Sequence, residues 1–223
     1  MKNKFISLSK RVYQCNKCKR LVNFRNNIAS KKRKSYMNQI YWGKPVSGFG
    51  DLNGEIIIVG LAPAAHGATR TGRVFTGDKS ADFLFKCLFK SGLSNQSNSD
   101  HLKDGLKLKN TFITLALRCV PPNDKPTKDE LNNCSIFFKE ELNMIKNKKV
   151  IVALGKIAFD TCIKFYKENN GLKGSFKFGH GVKYHINGLT IFGCYHPSPR
   201  NVNTKRINET KMIYLFKRAK KLI

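Results

Sequence analysis

Four short apolar runs constrain this chain more than any other feature. Glu55-Ile56-Ile57-Ile58-Val59-Gly60, Thr111-Phe112-Ile113-Thr114-Leu115-Ala116-Leu117, Val150-Ile151-Val152-Ala153-Leu154-Gly155 and Thr190-Ile191-Phe192-Gly193-Cys194-Tyr195 are rich in β-branched residues and do not alternate apolar with polar. A strand open to water on one face must alternate, so these runs read as strands covered on both faces, the condition of a parallel sheet. Parallel strands need crossover connections, and the intervening sequence supplies helical patterns over 80–91, 127–146, 156–168 and 206–222. The expected fold is α/β, a three-layer α/β/α sandwich with a central, mainly parallel sheet of about four strands. Its 223 residues suit one domain over 1–223, with an irregular N-terminal arm over about 1–50.

In such sheets ligands bind beyond the carboxyl ends of the strands. That rule selects the loops after Gly60, Leu117, Gly155 and Tyr195, and two of them carry the least ordinary sequences in the chain. The first runs Gly60-Leu61-Ala62-Pro63-Ala64-Ala65-His66-Gly67 and continues through Thr71-Gly72-Arg73 to Phe75-Thr76-Gly77-Asp78. Its small residues let backbone N–H groups approach a ligand closely, and Phe75 offers a flat stacking surface for a planar base. The second, His196-Pro197-Ser198-Pro199-Arg200-Asn201, sets a histidine at a strand end, where it can hydrogen-bond an anionic leaving group. A solitary histidine is more often structural. Here the strand-end position, two prolines and the Arg and Asn that follow favour a functional role.

The chain carries 42 Lys and Arg against 14 Asp and Glu, a formal charge of +28. Such a potential implies a polyanionic partner, nucleic acid above all, although an AT-biased genome also inflates lysine. The run Lys31-Lys32-Arg33-Lys34 reads either as a solvated face or as a phosphate contact. With 41% hydrophobic and 11% aromatic residues, the chain should fold despite its charge. No run approaches the roughly 20 apolar residues of a membrane helix. Met1 to Tyr13 lacks the apolar middle of a signal peptide, so a bacterial cytoplasmic location is expected.

Seven cysteines without an export signal read as metal ligands or core residues before disulfides. Cys87 and Cys162 lie in helical patterns and Cys194 ends an apolar strand, which makes these three core residues. Cys15, Cys18, Cys119 and Cys134 remain as a candidate metal set. A C-x2-C pair followed by two distant cysteines suits a tetrahedral zinc or an iron–sulfur cluster equally.

Gly60-Leu61-Ala62-Pro63-Ala64, Ala65-His66-Gly67, Thr71-Gly72-Arg73, Phe75-Thr76-Gly77-Asp78, Arg118-Cys119-Val120-Pro121-Pro122 and His196-Pro197-Ser198-Pro199 follow one another along the chain. In that order, over nearly its whole length, it resembles the uracil-DNA glycosylase superfamily, and within it family 5, the type b enzymes. The resemblance implies a monofunctional DNA-repair glycosylase that flips a uracil-like base out of the helix, hydrolyses its bond to the sugar and leaves an abasic site. It also implies a 4Fe-4S cluster on Cys15, Cys18, Cys119 and Cys134 in place of zinc. A monomer acting on double-stranded DNA with a damaged or mismatched base follows from the same likeness.

The resemblance further implies that Phe75 stacks on the flipped base, that Gly60, Leu61, Ala62 and His66 line its pocket, and that His196 bonds its carbonyl edge. Asn123 is expected to contact substrate, and Pro199, Arg200 and Asn201 to enter the vacated space or grip phosphates. Asp78 has two readings: it positions water and counters the sugar's positive charge, or it caps a helix beginning near Ser80. Two features set type b enzymes, and this chain with them, apart from related families, and a third departs from type b itself. Leu61 and Ala64 occupy a motif where related families place a water-positioning acid or amide, and Leu115 falls where uracil-strict families have Asn, a loss that resembles the broader base tolerance of type b enzymes. Asn123-Asp124-Lys125-Pro126 replaces the common x-Asn-Lys-Pro. A catalytically inactive metal-tethered nucleic-acid binder is the alternative from another functional class.

Overall fold

The computed structural model describes residues 1–223, apart from the side chain of Asn170. The chain opens with two helices, α1 (Lys2–Tyr13) and α2 (Lys19–Lys31). There follow β1 (Phe49–Gly50), β2 (Ile56–Gly60), α3 (Ala68–Thr71), α4 (Lys79–Lys90), β3 (Thr111–Leu115) and α5 (Lys128–Met144). The second half holds β4 (Val150–Leu154), α6 (Lys156–Asn170), β5 (Lys183–Ile186), β6 (Leu189–Cys194), α7 (Pro199–Asn203) and α8 (Glu209–Lys220).

The four apolar runs form a parallel quartet in the order β3-β2-β4-β6, with Ile56 of β2 level with Thr111 on one side and Val150 on the other. Alternate residues of β2 serve opposite layers. Ile56 and Ile58 meet Leu84, Phe85 and Leu88 of α4 and Met212, Leu215 and Phe216 of α8. Ile57 and Val59 meet Phe138 and Leu142 of α5 and Phe159 and Cys162 of α6. Burial on both sides is what removed alternation from the sequence.

The sheet has six strands, two more than expected. Short antiparallel strands edge it, β1 on β3 and β5 on β6. Neither carries a continuous apolar run, since β1 is two residues long and β5 alternates exposed Lys183 and His185 with Tyr184 and buried Ile186. The β5–β6 link is a two-residue turn in which Asn187 (φ 47°) and Gly188 (φ 80°) both take the left-handed conformation, the geometry of an Asn-Gly hairpin.

The N-terminal arm, expected to be irregular, is largely helical. Leu8, Val12 and Leu21 form an apolar stripe buried on Leu117, Cys134 and Phe137, and the intervening lysines stay in water. Deeper still, Arg118 and Glu141 are both fully buried with Nη2 and Oε2 2.9 Å apart, and Glu141 also accepts from the Gly48 N–H (2.9 Å) and the Thr114 hydroxyl. This pair fastens the end of β3 to α5. Among the described residues no helix is long and apolar enough to cross a membrane.

Candidate active site

Beyond the carboxyl ends of β2, β3 and β6 lies a cavity of about 320 Å³ lined by Leu61, Ala62, Ala64, Phe75, Asp78, Ser80, Asp124, His196, Ser198 and Pro199. The two distant loops selected from the sequence thus meet in one place. The Phe75 and His196 rings stand 5.9 Å apart with planes inclined by 33°. Phe75 takes a left-handed backbone (φ 46°), uncommon for a bulky residue, and its ring lies over Gly60. A Cβ at Gly60 would fall 2.8 Å from Phe75 Cε2 and 2.9 Å from Leu115 Cδ2. Gly60, expected in the wall, is therefore the seat beneath the stacking ring.

The last strand ends in a tightly specified turn. Tyr195 donates its N–H to His180 Nδ1 (3.3 Å), Ser198 caps α7, and Asn201 Nδ2 donates to the His196 carbonyl (2.9 Å). Asn201, expected to touch DNA, is committed to holding the turn that aims His196. Pro199 lies at the cavity rim and Arg200 is exposed beside it. Burial pushes the pKa of His196 down to about 4, so the ring in this site is a neutral imidazole.

Both readings of Asp78 hold at once. Its Oδ1 accepts from the N–H groups of Ser80 (2.9 Å) and Ala81 (3.1 Å), capping α4, and the same side chain lines the cavity. Burial raises its carboxyl above the ordinary range, and the two N–H groups pull in the other direction. Gly67 makes room for it: a Cβ there would come within 1.8 Å of Oδ2.

His66 is not a wall of this cavity. It lies in a neighbouring depression with its Nδ1 2.9 Å from the Tyr41 hydroxyl, and Asp78 borders both spaces. Arg70, which drew no attention in the sequence, braces the whole loop by donating Nε to the His66 carbonyl and Nη2 to the Gly77 carbonyl, each at 2.7 Å. Arg73 is buried and structural, pairing with Asp104 at 2.6 Å. Burial alone would raise the Asp104 carboxyl, but Arg73 and two backbone N–H groups hold it well below the usual range. Asn123, expected at the substrate, is exposed and outside the cavity, whereas Asp124 lines it. Both residues take left-handed φ values (54° and 55°) in a 3-10 turn, and that geometry presents the second of them to the cavity.

Residues 47–220 match the family model of the uracil DNA glycosylase superfamily. The chain belongs to the uracil-DNA glycosylase superfamily. It is 41% identical over 209 residues to the type-5 uracil-DNA glycosylase of Pyrobaculum aerophilum, covering 94% of this chain and 89% of that one. The type-5 enzyme of Thermus thermophilus is 39% identical, covering 93% of each chain. A type-4 enzyme, that of Thermotoga maritima, is 28% identical over 181 residues, with 80% and 82% covered. Within the superfamily the type-5 likeness is the stronger.

A second cavity in this glycosylase fold gathers Cys15, Cys18, Cys119 and Cys134. Cys15 and Cys18 come from the α1–α2 junction, Cys119 from the segment after β3, and Cys134 from α5. N–H donors surround the sulfurs: Arg25 Nη1 lies 3.1 Å from Cys119 Sγ, the Arg118 N–H 3.2 Å from Cys134 Sγ, and Asn133 Nδ2 3.8 Å from Cys18 Sγ. The buried Nε of Arg25 has no partner in the protein. Among the described residues no three His, Cys, Asp or Glu side chains converge as ligands of a single ion. Ala62 lines the first cavity and also packs against the cluster of Leu117 and Cys134 beside the second.

Proposed function

We propose that this chain is a DNA-repair uracil-DNA glycosylase, hydrolysing the N-glycosidic bond of uracil and other deaminated bases in double-stranded DNA as a monomer and leaving an abasic site. The observation that carries this reading is the approach of Phe75 and His196 across a base-sized cavity in a chain of this superfamily. A base inside the stack is out of reach, so the nucleotide is extruded at a cost of a few kcal/mol, least for a mispaired base such as U opposite G. The +28 charge holds the phosphates, with Arg200 at the cavity rim, and Pro199 enters the space the base has left.

In the cavity the base stacks on Phe75 over Gly60 and lies against Leu61 and Ala62. As the C1′–N bond stretches, negative charge gathers on the base and positive charge on the sugar. A neutral His196 donates a hydrogen bond to the developing base oxyanion, the kind of preorganised donor whose loss costs about 10²- to 10³-fold. The Asp78 carboxylate, fixed by its cap, counters the sugar's charge. Among the described residues no lysine lines the cavity, and the proposed reaction ends at base removal.

The four cysteines fit a 4Fe-4S cluster. They line one cavity and N–H donors are aimed at three of the sulfurs, as thiolate ligands of either metal require, and the likeness to the type b enzymes favours the cluster over a tetrahedral zinc. When bound, such a cluster would cross-link α1, α2, α5 and the segment after β3, stabilising the fold without taking part in hydrolysis.

The decisive experiment incubates the protein with an end-labelled duplex carrying one U·G pair and then heats it in alkali. Cleavage at the former uracil, absent before alkali, is expected. No cleavage above background on this or a panel of deaminated bases would leave the nucleic-acid binder as the better description.

A further inference from the structure

Among the described residues three arginines are buried, and two of them face an acid. Arg73 pairs with Asp104, and Arg118 with Glu141. The third, Arg25, is 5% exposed and forms no ion pair among the described residues. On α2 only Leu21 and Arg25 are buried, one helical turn apart, so the charge occupies a position where such a helix ordinarily buries an apolar side chain. Its Nη1 donates to the Cys15 carbonyl and to Cys119 Sγ, each at 3.1 Å, and its Nη2 to Asn16 Oδ1 at 2.5 Å. Its Nε is buried without a partner. The cavity that Arg25 borders gathers the four cysteines and holds no carboxylate. A guanidinium keeps its charge inside a protein, and neutral acceptors do not offset the cost of burying that charge without an anion.

We propose that Arg25 is the counter-ion of the four-cysteine centre, the residue that balances the negative charge of metal-bound thiolates. This rests on the metal-centre reading above. Cysteines bind metal as thiolates, and four of them carry more negative charge than a zinc ion or a 4Fe-4S core neutralises, so the loaded site is an anion. Arg25 meets that charge at Cys119 Sγ, and its bond to the Cys15 carbonyl fixes the turn that carries the C-x2-C pair. One guanidinium thus ties α2 to both halves of the ligand set. Neither neighbouring cation can replace it: the charge of Arg118 is met by Glu141, and Lys17 at the cavity edge is exposed to water. A positive charge and an N–H donor at a ligand sulfur both favour the reduced, more negative state of a cluster. Arg25 acts through Cys119 and takes no part in hydrolysis, which makes it a positioning residue.

The test compares the wild type with Arg25→Lys, Arg25→Gln and Arg25→Met. Leu8→Ala serves as a control for lost packing, since Leu8 is buried in the same apolar cluster without bordering the cysteine cavity. Metal per chain, metal loss to a chelator and the midpoint potential by protein-film electrochemistry are measured, with thermal unfolding alongside. Arg25→Met should give up metal about 10- to 100-fold more readily, the usual cost of removing the partner of a metal ligand. The cluster it keeps should show a more negative potential, and Arg25→Gln should behave alike. Arg25→Lys, which retains the charge without the fork, should lie between these variants and the wild type. Leu8→Ala should unfold earlier at an unchanged potential. Wild-type retention and potential in Arg25→Met overturn the assignment. So does a Met variant that loses metal only as Leu8→Ala does and keeps the wild-type potential, and so does a Lys variant no better than Gln. A wild type loaded with zinc changes the metal and leaves the order of metal loss to decide. A wild type without metal removes the centre and this proposal with it, whereas uracil release, measured separately, still decides the glycosylase reading.

Discussion

The rings of Phe75 and His196 face one another at 5.9 Å although they leave the sheet from β2 and β6, which are separated by β4. Each is placed by a neighbour that could easily pass for filler. Gly60 leaves the space on which Phe75 rests, and Asn201 holds the carbonyl of His196. The separation leaves both rings addressing one cavity, one by stacking and the other by hydrogen bonding.

His196→Ala should slow single-turnover base release by about 10²- to 10³-fold and leave DNA affinity near that of the wild type, as fits a donor used mainly in the transition state. Rapid-quench kinetics with a parallel binding titration would show it. An unchanged rate would take His196 out of the chemistry.

The same residue makes folding stability depend on pH. Its pKa drops from the ordinary 6.5 to about 4 in the folded chain, so the unfolded state binds a proton first as pH falls. Its contribution is fully present above about 6.5 and is lost as pH falls through about 4. Denaturant midpoints measured between pH 7 and pH 4 should fall more steeply for the wild type than for His196→Gln.

Asp78→Ser separates its two duties, since serine is also a good N-cap. Stability should change by less than about 1 kcal/mol, whereas base release should fall by an order of magnitude or more. Equal activity in the two proteins would reduce Asp78 to a cap.

Gly67→Ala forces a Cβ to within 1.8 Å of Asp78 Oδ2. Relief requires moving the cap of α4 or the loop before it, at about 1–3 kcal/mol. Urea denaturation should register that loss, and activity should fall with it.

Arg118→Met would leave Glu141 buried without its cation, a change expected to cost about 3–5 kcal/mol, whereas Arg118→Met with Glu141→Leu should cost much less. A double-mutant cycle by chemical denaturation measures the difference. Iron analysis is equally direct for the cysteines: a brown wild type with about four irons per chain is expected from a 4Fe-4S cluster, and Cys119→Ala should be colourless and less stable.

The parallel quartet and the two site loops were legible because each left an unambiguous trace: unbroken apolar runs for strands buried on both faces, and unusual residues at their ends. The edge strands left little trace. Phe49–Gly50 is too short to show a period, and Lys183–Ile186 could be found only through Asn187-Gly188. In α1 and α2 the lysines that cover the outer face obscured the spacing of Leu8, Val12 and Leu21. Within the site, position in sequence did not say which of two adjacent residues faces inward. Asn123 and Asp124 exchange roles because a pair of left-handed residues rotates the turn, and His66 is drawn aside by Tyr41.

Ala62 is a party wall. It touches the space for the base on one side and the packing around Leu117 and Cys134 on the other, and close-packed interiors pass displacements on rather than absorbing them. Its methyl group adjoins both, so a shift in the packing around Cys134 reaches the wall of the first cavity. The N-terminal arm, through Leu8, Val12 and Leu21, is thereby built into the same packing that shapes one side of that cavity.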